Sequence, residues 1–134
     1  MMKRLLLPLL AVLATVSLPA GERANTVLLH PGDTVYARFE QDGTKLKLVG
    51  TSAEKDDGAQ LVVSLSKGTL QSGLNLKLEN GFAQDLDYQG EMRSKILKKH
   101  QPLDPGPVVG GKVGYMNIPA IVTELALYDF KLEK

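Results

Sequence analysis

The sequence predicts an all-β fold, an antiparallel β-sandwich of about seven strands, immunoglobulin-like in outline. Three observations predict it. Several stretches alternate apolar and polar residues with period two, the mark of a half-buried strand. Turn signals separate them at intervals of about 8–12 residues. No convincing helical stripe lies between them, and sandwiches show this spacing.

The elements follow in order. "TVLLH", Thr26 to His30, is the first candidate strand, closed by "PGD". In "TVYARFEQ", Val35, Ala37 and Phe39 share one face, and Arg38 and Glu40 the other. Asp42-Gly43 is a hairpin turn signal. "KLKLVGTSA" then turns Leu46 and Leu48 inward, and "EKDDG" reads as a polar loop. "QLVVSLSK" places Leu61, Val63 and Leu65 on one face. "LNLKLEN" does the same with Leu74, Leu76 and Leu78. The Asn80-Gly81 pair then predicts a hairpin into "DLDYQGEM", which buries Leu86, Tyr88 and Met92 and leaves Asp85, Asp87, Gln89 and Glu91 to solvent. Gly90 marks a candidate bulge in it. "QPLDPGPVVGGKVG", with three prolines and four glycines, predicts loop. The last segment, 121–132, offers both a helical stripe and a β-rich composition. Its Ile121, Val122, Thr123, Tyr128 and Phe130 favour a strand apolar on both faces, with a bulge shifting its phase between Leu127 and Phe130.

The chain of 134 residues is one domain's worth. Residues 1–20 read as a secretory signal peptide, with "MMKR" as the basic start, "LLLPLLAVLATVSLPA" as the apolar run and cleavage after Ala20. Residues 21–134 form a single domain. Lys3 and Arg4 leave with the leader, so the 16 basic side chains become 14 against 15 acidic ones. That balance predicts no nucleic-acid partner, and no stable membrane insertion once the leader is gone. The expected location is periplasmic or secreted. Cysteine is absent, which excludes disulfides and thiolate metal sites. The fold must therefore hold by packing alone.

Four motifs invite a chemical reading. The run from Asp85 begins like a calcium loop, but its twelfth position is Ile96, where a bidentate carboxylate is required. "GPVVGGKV" nearly matches a phosphate-cradling loop, yet Val113 replaces the hydroxyl that would hold magnesium, and the stretch reads as a mobile loop. "SLSK" spells a serine–lysine pair, but residues three apart on a strand face opposite ways. Met92, His100 and Met116 are soft or borderline donors suited to copper, though dispersed in sequence. No complete catalytic constellation emerges, and no cofactor is implied. A basic run remains: Arg93, Lys95, Lys98, Lys99 and His100. Beside a loop rich in Pro and Gly it suits an anionic partner, such as lipid headgroups, a glycan or an acidic protein face. The same lysines also protect an edge strand from unwanted pairing.

From Leu74 onward, "LKLENGFAQDLDYQGEM", a proline-containing stretch and the ending "IVTELALYDFKL" resemble a group of small, uncharacterised bacterial periplasmic proteins. The resemblance implies a sandwich fold and a periplasmic location, and brings no activity. A Cys-Pro segment often precedes the last strand in that group; here Gly106 to Met116 occupies the region without a cysteine. The expected function is a small, non-catalytic binding or accessory protein that engages another periplasmic or extracellular protein or an anionic ligand. A copper-binding protein and an inhibitor of a secreted hydrolase are the alternatives.

Overall fold

A computed structural model describes residues 25–68, 73–96, 98 and 100–134. The proposed leader and Lys99 lie outside them. The described residues form no helix and nine strands, all paired antiparallel. They are β1 (Val27–Leu29), β2 (Thr34–Asp42), β3 (Lys45–Ser52), β4 (Leu61–Lys67), β5 (Leu74–Asn80), β6 (Leu86–Arg93), β7 (His100–Leu103), β8 (Val113–Ile118) and β9 (Glu124–Leu132). The all-β antiparallel expectation holds, with nine strands in place of about seven. One path of hydrogen bonds runs β7-β6-β9-β3-β2-β4-β5-β8, with β1 added on β9, and the sheet curls into a half-barrel.

Two thin seams join its halves. Between β3 and β9 the ladder has one pair, Lys45 opposite Lys131, extended by the Leu132 N–H donating to the Thr44 carbonyl. At the other corner Leu86 and Val108 exchange both backbone hydrogen bonds at 2.9 Å. Between the halves Phe39 of β2 meets Phe130 of β9 edge-on at 5.2 Å, with Phe82 and Tyr88 beside them. The rest of the core is aliphatic: Leu29, Leu61, Leu65, Leu76, Leu78, Leu86, Leu125 and Leu127 are fully buried.

The period-two strands follow their alternation. Leu61, Val63 and Leu65 face Leu74, Leu76 and Leu78 across the β4–β5 ladder, all buried. The Asp42-Gly43 signal becomes a tight β2–β3 connection, with Gly43 at φ +65°. The predicted Asn80-Gly81 hairpin does not form, because β5 pairs with β4 and β8 while β6 pairs with β7 and β9. A type I′ turn needs positive φ at both central residues, and neither has it. The Asn80 side chain is buried instead. Its Nδ2 donates to the carbonyls of Gln84 and Val108, and its Oδ1 accepts the Phe82 N–H.

The Pro- and Gly-rich stretch is not all loop. It contains most of edge strand β7, where Pro102 is tolerated because an edge needs fewer ladder donors, and the start of β8. Nor is the phosphate-loop lookalike free: Val108 is buried, and the Gly110 N–H donates to Asp85 Oδ1 at 3.0 Å.

The expected phase shift near the C-terminus is present. Leu125, Ala126 and Leu127 are buried in succession, then Asp129 takes φ +55° and Phe130 turns inward. The register against β6 slips at this point, between Asp87 and Gln89. Gly90 lies beside the irregularity and does a different job. A Cβ there would sit 2.8 Å from Leu103 Cδ2 and 3.1 Å from Leu127 Cδ2, so glycine makes room for both leucines.

Two outcomes test this frame. Asp129→Val costs about 1–2 kcal/mol in urea unfolding despite valine's strand propensity, because a β-branched residue resists positive φ. Asp129→Asn stays within about 0.5 kcal/mol, since Asn tolerates that conformation. Burial pushes the Tyr88 hydroxyl up to about 12. The neutral form is thus favoured in the fold, and stability present below the unfolded pKa near 10 is lost as pH rises toward 12, by roughly 1.4 kcal/mol per unit. Tyr88→Phe flattens that alkaline decline.

Candidate functional site

The strand registers bring both histidines, Arg93, Glu91 and Glu124 to one end of the sheet. β1 ends there at Leu29, β6 at Arg93 and β8 at Ile118, while β2, β7 and β9 start there. The described residues of the connections after β1, β6 and β8 (30–33, 94–96 with 98, and 119–123) therefore share this upper end. His100 lies opposite Arg93, and Arg93 opposite Glu124. His30 follows Leu29, which pairs with Leu125, so it falls beside Glu124. The result is a row across β7, β6, β9 and the end of β1: His100, Arg93, Glu124, His30.

The row is bonded throughout. Arg93 Nη1 donates to Glu124 Oε1 at 2.6 Å, and Arg93 Nε to Glu91 Oε2 at 3.2 Å. His100 Nδ1 lies 2.7 Å from the same Glu91 oxygen. His30 Nε2 lies 3.2 Å from Glu124 Oε2, and its Nδ1 3.3 Å from Asp33 Oδ2. Thus the chain's two histidines end one ladder of side chains centred on an arginine between two carboxylates. Only 11% of the Arg93 side chain is exposed, and the same holds for Glu91. Burial alone would lower the pKa of the guanidinium; its hydrogen bonds to Glu124 and Glu91, with their charges, outweigh it and raise the pKa overall. Arg93 Nη2 is buried without a hydrogen-bond partner.

These contacts change the role of the predicted residues. Arg93 and His100 belong to the ladder rather than to a free basic surface. Glu91, expected in solvent, is buried: alternation points it outward, but His100 and Arg93 close over it. Lys95 and Lys98 remain exposed, Lys98 at φ +57°. Between them Ile96 is 75% exposed. The connection is shaped by Ser94, whose hydroxyl accepts the Ile96 N–H and whose carbonyl accepts the Lys98 N–H. Thr123 anchors the neighbouring connection, its N–H donating to the Arg93 carbonyl at 2.9 Å.

The copper donors do not converge. Met92 and His100 occupy adjacent positions on β6 and β7, whereas Met116 lies on β8 and lines a different depression, with Leu78, Tyr88 and Val108. Among the described residues no group of three or more His, Asp or Glu is placed to hold a metal ion. Sequence reasoning missed Glu91, Glu124 and His30 as parts of the site. Their signal was only two isolated histidines and carboxylates on distant strands, which register alone unites.

A depression of about 220 Å³ opens beside the ladder, lined by His30, Arg93, Ser94, Lys95, Thr123 and Glu124. No family model, curated protein or solved structure matches the chain.

The ladder's energetics are testable. Arg93→Met leaves Glu91 and Glu124 without their shared counter-ion and costs about 3 kcal/mol in urea unfolding. Adding Glu91→Gln recovers part of that loss, since a buried amide is easier to accommodate than an unpaired carboxylate.

Proposed function

We propose that the protein is a small secreted or periplasmic, non-catalytic binding module that engages an anionic partner through the upper end of its sheet. One observation carries this reading. Lys95 and Lys98 are exposed on either side of an exposed Ile96, while Glu91 and Glu124 beside them are taken up by Arg93 and the histidines. The ladder thus directs both carboxylates at Arg93 and the histidines rather than at the lysines, and Arg93 offsets one of their two charges. The expected sandwich-type, immunoglobulin-like outline belongs to the same reading. The strands present connections at the ends of the sheet, and such connections are where recognition residues commonly sit.

Retention on immobilised polyglutamate tests it. The protein binds at low salt and elutes as salt rises, because exposed charges are screened within about 10 Å at 0.1 M. The Lys95→Glu, Lys98→Glu double variant binds at least about tenfold more weakly, from two reversed charges at the contact. Equal retention of both forms would remove the basis of the proposal.

A further inference from the structure

Two depressions flank the Arg93–Ser94 step, and their chemistries differ. The larger, described above, has a basic and hydroxylic lining in Lys95, His30, Ser94 and Thr123. Arg93 also lines it, with its guanidinium turned to Glu91 and Glu124 and its Nη2 buried from solvent. Its one carboxylate, Glu124, has each oxygen engaged, by Arg93 on one side and His30 on the other. The smaller, of about 30 Å³, is lined by Met92, Pro119, Ile121 and Val122 with Arg93, Ser94 and Gln101. Ile121 on its rim is 38% exposed, and Ile96 stands nearby at 75%. A seat for an anion thus adjoins an apolar dent and two exposed isoleucines.

We infer that this end docks on the surface of an anionic phospholipid bilayer, an inference that rests on the anionic-partner reading above. A phospholipid carries both chemistries the surface offers, a phosphodiester for the basic depression and hydrocarbon for the isoleucines. Lysines attract an anionic leaflet over the range of a Debye length, and a shallow apolar tip adds contact at the level of the headgroups. An acidic protein face fits less well. Protein hot spots are built on Trp, Tyr and Arg. The exposed residues of connections 30–33, 94–96 and 119–121 include no aromatic side chain, and the arginine at this end is occupied by two carboxylates. The docking is peripheral and reversible, because one short connection supplies the contact.

Cosedimentation with vesicles of phosphatidylcholine, with and without phosphatidylglycerol, tests the inference on protein lacking residues 1–20. Binding is expected to the phosphatidylglycerol vesicles at low salt and to fall at least about tenfold in the Lys95→Glu, Lys98→Glu variant. Ile96→Ser keeps the charge and is expected to weaken vesicle binding several-fold while leaving polyglutamate retention unchanged. Circular dichroism confirms that each variant is folded. Absence of vesicle binding, with polyglutamate retention still dependent on the lysines, would overturn the lipid inference and leave an acidic protein face as the partner. Loss of both would overturn the anionic-partner reading as well. Equal binding to phosphatidylcholine alone, or no effect of Ile96→Ser on vesicles, would also overturn the lipid inference.

Discussion

The ladder shared by β9 with its neighbours is the constraint on which the rest of the structure depends. Along one edge β9 pairs with β6 from Glu124 to Leu132. Along the other it pairs first with β1, through Leu125 to Leu127, and then with β3 at Lys131. A strand with partners on both edges cannot leave its backbone to water, so its hydrogen bonds must be made within the sheet. Leu125, Ala126 and Leu127 are all fully buried, which uses both faces of the strand at once. Only a change of phase lets Phe130 and Leu132 return to the interior after that run, and Asp129 at positive φ supplies it. Without the extra residue, Phe130 would miss Phe39 and Tyr88, and the aromatic contact between the sheet halves would be lost.

The polar site follows from the same strand. Its register against β6 sets Glu124 opposite Arg93, and its register against β1 sets His30 beside Glu124. The ladder is thus a consequence of where β9 begins. Its net electrostatic worth is modest, because desolvating several charges costs nearly as much as their attraction returns. Its geometric effect is larger. Four chain segments that approach the same end are bonded to one another by side chains, and the 94–99 connection starts from the best-held residue among them. Specific pairing at a sheet end is also hard to satisfy in any other register, so the ladder opposes slippage of β7 on β6 and of β1 on β9.

What could be read from the sequence was local. The leucine rows of β4 and β5, the Asp42-Gly43 turn and the phase shift before Phe130 each depend on residues within a few positions of one another. What could not be read was long-range. The stretch joining Leu78 to Leu86 looks like a hairpin, but the Asn80 side-chain amide donates to the carbonyls of Val108 and Gln84. That choice depends on a segment 28 residues downstream. Likewise β8 hides in glycine-rich sequence because its partner β5 lies far upstream, and as an edge strand it leaves Val113 and Tyr115 exposed. Glu91 illustrates the same limit for the site. Alternation correctly placed it on the outer face, yet burial there is set by Arg93 and His100, whose positions come from strand pairing. The basic run 93–100 was visible, but its division into a buried clasp and an exposed tip was not.

The two ends of the sheet are held by different means, and that difference bears on function. At the lower end Asn80 and the Leu86–Val108 pair tie connections together through main-chain groups, and Asp85 adds a carboxylate that accepts the Gly110 N–H. At the upper end charged side chains do the tying, and hydroxyls and backbone groups of Ser94 and Thr123 fix the adjoining connections. A fold that needed only stability would more simply place apolar residues at Glu91, Arg93 and Glu124, since buried ion pairs rarely outperform well-packed hydrophobic ones. Charges kept at such positions make sense where their arrangement does something packing would not. Here they turn two carboxylates toward Arg93 and support the connection that carries the exposed Lys95, Ile96 and Lys98. Under the proposed reading, the backbone carrying Lys95 and Ile96 is already tied to the sheet through Arg93 and Ser94, so less conformational freedom remains to be lost on contact with a partner.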